Sequence, residues 1–167
     1  MGNRGQLGSL LLLALVAVVL LRPWEAELGG EAEAASARAF VVRAVDGDTL
    51  EVALGGRRED VRLIGVDTPE TVKPDAPVQC FGPRASSFEH RVAERQPARL
   101  VFGVERRDIY GRLLAYVYLP GRFLNAELLR RGLARTLAIP PNTRFAARFQ
   151  LLQTAAARAG RGLWGVC

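Results

Sequence analysis

Three β-rich runs, Ala39–Val45, Thr49–Leu54 and Asp60–Val66, follow one another with only short turns between them. The first turn is Asp46-Gly47-Asp48, and Gly55-Gly56 opens the second. Connections this short join antiparallel neighbours, so the region reads as a meander. Two more strands, Ala98–Glu105 and Leu113–Leu119, flank a turn at Asp108–Gly111, where Gly111 admits a positive φ. Helical signals fall between and after these strands. Pro83 suits the first turn of a helix reaching about Arg95, with Ala85, Phe88, Val92 and Ala93 facing inward. A short helix over Asn125–Arg131 ends at Gly132, and another over Thr143–Ala159 is closed by Gly160. Five strands and three helices predict an α+β domain that is mainly β. Thr71–Gln79, holding Lys73, Pro74, Asp75 and Pro77, reads as an exposed loop long enough to touch a bound molecule.

Carboxylates gather at the strand ends of the meander: Asp46 and Asp48 in the first turn, Asp67 and Glu70 in Val66-Asp67-Thr68-Pro69-Glu70. Such oxygens suit a hard divalent cation, and Ca²⁺, Mg²⁺ and Mn²⁺ all remain open on chemistry alone. Arg62 lies inside the third strand and Arg112 follows the Asp108 turn. Their planar forks match phosphate oxygens in a way lysine does not. Taken singly, the two acidic segments are hairpin turns or solvated loops, and Arg62 is a strand residue facing water. Taken together they describe a metal-dependent phosphodiesterase site. Two cysteines and a single histidine supply too few ligands for zinc.

The same segments, with Phe81-Gly82-Pro83-Arg84-Ala85-Ser86, Leu113–Tyr118, Asn125–Ala134 and Gly162-Leu163-Trp164, resemble the staphylococcal nuclease (thermonuclease-like) family from about Ala39 to Trp164. The resemblance implies a five-stranded OB-fold Greek-key barrel with about three packed helices. It implies that Asp48, Asp67 and the backbone carbonyl of Thr68 hold Ca²⁺, with Asp46 acting through bound water. It further implies that Glu70 is the general base and that Arg62 and Arg112 clamp the phosphate. Tyr110 matches a tyrosine lying against the bound nucleotide. The implied reaction cuts DNA and RNA, favouring single strands, with the 5′ oxygen leaving. A second stacking tyrosine is expected after Gly132-Leu133-Ala134, yet Arg135–Pro141 contains no aromatic. Stacking there, worth about 1–3 kcal/mol per base, is lost or supplied elsewhere. Arg84 stands where an acidic residue is common. Two rival readings lack catalysis: an OB module that binds nucleic acid or protein, and a tethered surface protein that holds extracellular DNA.

Charge agrees with a polyanionic partner. The net charge is +6, and residues 1–37 hold two arginines against four glutamates, which leaves 21 basic and 13 acidic side chains in residues 38–167. That balance favours nucleic acid through long-range attraction and counterion release. Leu7–Leu21 is apolar apart from Gly8 and Ser9, follows Arg4, and fits an export signal. Leu7–Trp24 also suffices for an uncleaved membrane anchor. Small-residue cleavage sites lie at Ala32-Glu33-Ala34 and Ala35-Ser36-Ala37, and Glu25–Ser36 reads as a linker. The expected organisation is a leader and linker over residues 1–37 and a monomeric domain over 38–167. Export makes pairing of Cys80 with Cys167 the expectation and two free thiols the alternative. Closing that 87-position loop contributes at most about 4 kcal/mol in the chain-entropy model.

Overall fold

The computed structural model describes residues 35–71 and 77–167. The leader and most of the Thr71–Gln79 loop lie outside the described residues. Five strands form the barrel: β1 (Ser36–Ala44), β2 (Thr49–Leu54), β3 (Arg57–Leu63), β5 (Pro97–Arg107) and β6 (Leu113–Leu119). They run in the order β3-β2-β1-β5-β6, and a parallel pairing of β3 with β6 closes the circle. The five expected strands and the OB-type closure are therefore present, while β5 extends further at both ends than the sequence reading. β7 (Arg122–Phe123) adds a short edge to β6.

The third expected strand, Asp60–Val66, is broken in the middle. β3 stops at Leu63, and the chain leaves the barrel as β4 (Gly65–Asp67) to pair with β8 (Arg135–Leu137). Gly65 makes the departure possible, with φ +80° and the Phe149 ring where a side chain would stand, 2.6 Å from a Cβ built there. A continuous apolar run cannot reveal such a break, because Ile64 and Val66 are buried on either side of it.

Three helices pack on the barrel: α1 (Gly82–Ala93), α2 (Leu124–Arg130) and α3 (Ala146–Arg158), followed by the four-residue α4 (Leu163–Val166). None among the described residues is long and apolar enough to cross a membrane. Val41, Leu50, Val52, Val61, Leu100 and Val117 fill the barrel, and Leu124, Leu128, Leu129 and Phe149 extend this core into the helices. Cys80 and Cys167 are joined by a disulfide that ties the entry of α1 to the C-terminus. β1 begins two residues ahead of the expected boundary at 38, with Ser36 and Ala37 paired to Val101 and Leu100. Cleavage after Ala37 would remove those pairs, whereas cleavage after Ala34 leaves the strand whole.

One buried polar side chain locks the strand break to the helices. Asn125, at the start of α2, is fully buried. Its Oδ1 accepts from Val117 N at 2.9 Å and its Nδ2 donates to Ile64 O at 2.9 Å. Each bond satisfies a buried backbone group, one on β6 and one at the strand break. Asn125→Leu keeps the volume and strands both groups, so it should cost about 3 kcal/mol. Urea unfolding checks this, and a loss below about 1 kcal/mol would show that the amide is not the clasp.

Candidate active site

The turn between β1 and β2 is drawn tight by Thr49 O, which accepts from Val45 N at 2.8 Å, while Asp46 Oδ1 accepts from Asp48 N at 2.9 Å. Gly47 at its tip is needed for close approach, since a Cβ there would lie 2.6 Å from Thr68 Oγ1. The end of β4 thus rests directly on the turn. Asp48 is buried, and its Oδ2 accepts from Thr68 N at 2.7 Å and Thr68 Oγ1 at 2.9 Å. Burial pushes the Asp48 carboxyl up to about 6; Arg62 opposes this, Asp46 reinforces it, and the Thr68 bonds oppose it.

Arg62 alternates with the buried Val61 and Leu63 along β3 and so projects from the opposite face. Its Nε lies 3.2 Å from Asp48 Oδ1 and its Nη2 donates to Asp67 Oδ1 at 3.0 Å. Nη1 donates to Leu63 O at 3.0 Å and Val66 O at 2.7 Å. One guanidinium therefore spans both aspartates and fastens the β3–β4 break beside them.

Barrel closure brings the second arginine to the first. The parallel β3–β6 register sets Arg62 opposite Leu114, two residues beyond Arg112. Arg112 Nε donates to Asp108 Oδ2 at 2.7 Å, and Asp108 Oδ1 accepts from the backbone N of Tyr110 and of Arg112, both at 3.0 Å. Among the described residues the Arg112 Nη groups make no hydrogen bond, and the guanidinium lies 5.3 Å from the Tyr110 ring centre. Asp108 is a positioning residue that sequence reasoning passed over as part of a turn. Its signal was the Asp at i with an Arg at i+4.

Arg62, Arg112 and Tyr110 line one cleft of about 340 Å³, with Leu137 and Ile139 along its apolar side. Those two aliphatic residues occupy the stretch in which the family resemblance led us to expect a tyrosine. Tyr110 is 77 % exposed and free to meet a ligand. Glu70 does not line this cleft. Its Oε1 accepts from Thr71 N at 3.0 Å, and its backbone is fixed by paired bonds with Gln79. Among the described residues no group of three or more Asp, Glu, His or Cys side chains forms a metal cage. Two aspartates sharing one guanidinium are still a fitting donor set for a hard cation that takes carbonyl and water oxygens for the rest.

A further carboxyl, also missed in sequence, lies beneath the turn. Glu89 on α1 is fully buried, and among the described residues neither of its oxygens has a hydrogen-bond partner. Burial, then repulsion from Asp48 and Asp46, raises its pKa well above the ordinary 4.5. Helical spacing was the available signal, because Ala85, Glu89 and Ala93 lie four residues apart on one buried face. The folded state holds a proton that the unfolded chain releases, so Glu89 contributes stability below pH 4.5 that is lost as pH rises toward the folded pKa. Glu89→Gln removes that loss. Its stability relative to the parent should climb from about pH 4.5 upward, read by chemical denaturation in chelator. A pH-independent difference would show that Glu89 is ionised in the folded protein.

The sequence profile described as "Staphylococcal nuclease homologue" matches residues 60–166. The chain is 42 % identical over 124 residues to a thermonuclease of Staphylococcus hyicus, covering 74 % of this chain and 73 % of that protein. Against a thermonuclease of Staphylococcus intermedius the figures are 43 % over 125 residues, 75 % and 74 %. The endonuclease YncB of Bacillus subtilis (strain 168) is 41 % identical over 124 residues, which cover 73 % of this chain and 59 % of YncB. Fold, closure and these likenesses agree, and the chain belongs to the staphylococcal nuclease family.

Proposed function

We infer that the protein is an exported, Ca²⁺-dependent endonuclease that hydrolyses DNA and RNA with little sequence preference and favours flexible single strands. Its nuclease activity follows from the family and from relatives named thermonuclease and endonuclease. The observation that carries the finer reading is the Arg62 guanidinium, which pairs with Asp48, bonds Asp67, and faces a cleft shared with Arg112 and Tyr110.

A phosphodiester is shielded by its own charge, so hydrolysis needs neutralised nonbridging oxygens and a water aligned with the leaving group. Arginine carries five N–H donors. Among the described residues Arg62 commits three of them in hydrogen bonds, one to Asp67 and two to backbone carbonyls, and holds Nε in an ion pair with Asp48, which leaves one Nη2 N–H for substrate. Among the described residues Arg112 commits only Nε, so its two Nη groups supply the paired fork. Tyr110 meets a sugar or base, and Leu137 with Ile139 offers apolar contact in place of a second ring. Asp48, Asp67 and the Thr68 carbonyl would hold Ca²⁺, with Asp46 acting through water; the ion when bound neutralises phosphate charge and acidifies water. Glu70 takes the proton of the attacking water. The water oxygen bonds to phosphorus, the P–O5′ bond breaks with its electron pair on O5′, which takes a proton from solvent, and the products carry a 3′ phosphate and a 5′ hydroxyl.

Export is supported by the apolar Leu7–Leu21 run behind Arg4 and by the Cys80–Cys167 disulfide, a bond that persists in oxidising compartments. The leader serves either as a cleaved signal or as an anchor.

Digestion of single-stranded DNA should require Ca²⁺ and stop in chelator. Glu70→Gln should lower kcat by roughly 100-fold or more and leave strand binding intact. Undiminished cutting in chelator, or by the variant, would sink the assignment. Because Asp48 titrates at about 6, Ca²⁺ affinity measured calorimetrically should rise steeply from about pH 5 to 7. A flat profile would remove Asp48 from the ligand set.

A further inference from the structure

A second, larger cleft of about 770 Å³ lies between α1, α2 and the entry to α4, and among the described residues shares no lining residue with the first. Arg84 and Arg91 reach it from α1, Arg130 and Arg131 from α2, and Arg161 from the segment ahead of α4. Among the described residues Glu127 is the sole acidic one that lines it. That carboxylate is buried and already takes three guanidinium groups: Arg130 Nη2 at 2.6 Å, Arg131 Nε at 2.5 Å and Arg122 Nη1 at 3.3 Å. Arg84 and Arg91 have no acidic partner among the described residues. Like charges so gathered repel one another unless an anion joins them.

The cations are also held in place. The Arg84 guanidinium lies 5.2 Å from the Phe81 ring centre, and Arg131 lies 4.9 Å from that of Phe88. Stacking fixes the plane of a guanidinium while leaving its edge free to donate. Phe81 adopts φ +70°, a left-handed conformation unusual for a bulky residue, directly after Cys80. The disulfide from Cys80 to Cys167 therefore clamps the Phe81 wall to the segment that carries Arg161. Arg84 also sits in the first turn of α1, which has no side-chain cap and no acidic residue, so two unfavourable positive terms coincide there. Both are relieved by a bound anion.

We propose that this arginine cleft is a second nucleic-acid site, which grips the phosphodiester backbone of a strand whose scissile bond lies in the Arg62–Arg112 cleft. It rests on the nuclease reading. Long strands gain affinity from it by occupying two linked sites, and very short ones do not. Its chemistry is that of repeated phosphates, without base readout.

The full chain in chelator, where nothing turns over, binds a fluorescent 20-nucleotide deoxythymidine strand and a trinucleotide, and anisotropy is followed across salt concentrations. The Arg84→Ser/Arg91→Ser variant should bind the 20-mer about tenfold more weakly, with a salt slope lower by about 1.4, since each single-strand phosphate contact contributes about 0.7. Its trinucleotide affinity should match the parent. Arg38→Ser/Arg57→Ser removes the same charge from exposed strand positions outside the cleft and should leave the 20-mer within about twofold. Unchanged 20-mer binding by the Arg84/Arg91 variant overturns the proposal. So does an equal loss for both lengths, or an equal loss in the control variant, because either reduces the cleft to its general field. Thermal unfolding confirms that both variants are folded. A parent that binds the 20-mer more tightly than the trinucleotide but does not cut it would defeat the nuclease reading and leave this comparison standing.

Discussion

A carboxylate buried in a β-turn, Asp48, organises everything near the mouth of the barrel. Its oxygens accept from Thr68 and approach Arg62, so the turn, the end of β4 and the middle of β3 meet at one acidic group. Removing that group from water is costly, and the raised Asp48 pKa records how incompletely its neighbours offset the cost. Arg62 repeats the pattern from the opposite sign. Its Nη1 fastens the backbone on either side of the strand break and its Nη2 bonds Asp67, so the same side chain that faces the cleft also sets the position of Asp67.

That local knot needs the global closure. β3 and β6 are separated by α1 and two strands in sequence, and only their parallel pairing sets Arg62 near Arg112. Closure also explains why Asn125 is buried: its amide bonds Val117 of β6 and Ile64 at the end of β3, the two strands that complete the barrel. The site therefore inherits its precision from barrel strands rather than from loops. Arg112 is the partial exception, since it stands at the end of a turn, and Asp108 compensates by accepting from both its side chain and its backbone.

Much of this was legible in the residues. Short β-rich runs, glycine turns and Pro83 locate the barrel strands and α1 because each signal is local. Asp46, Asp48, Arg62, Asp67 and Arg112 stood out through residue type and order, and the structure gathers Asp48, Asp67 and both arginines. What escaped depends on contacts far apart in sequence. The β3–β6 closure came only with the family resemblance, and the pairing of β4 with β8 was hidden because Ile64 and Val66 look like one continuous strand. Asp108 was hidden inside a turn that any Asp would suit. Glu89 was hidden by its charge, since an acidic residue on a helix is ordinarily read as solvated even when its spacing from Ala85 and Ala93 points inward.

The positions that break local rules are not scattered. Gly47 admits Thr68 where no side chain fits, Asp48 and Glu89 are carboxyls without adequate compensation, and Phe81 holds a left-handed backbone beside a disulfide. Asp48 and Glu89 are both pushed toward the neutral form, with the Arg62 guanidinium opposing the shift in each. Selection for stability alone would have replaced Glu89 with a neutral side chain, as the neighbouring alanines of its face illustrate. A protein that keeps an under-neutralised acidic pocket at one cleft and a surplus of arginine at another carries opposite electrostatic debts in two places. On the proposed reading a cation would settle the first and a phosphate backbone the second, and a metal-dependent enzyme acting on a polyanion would bring both.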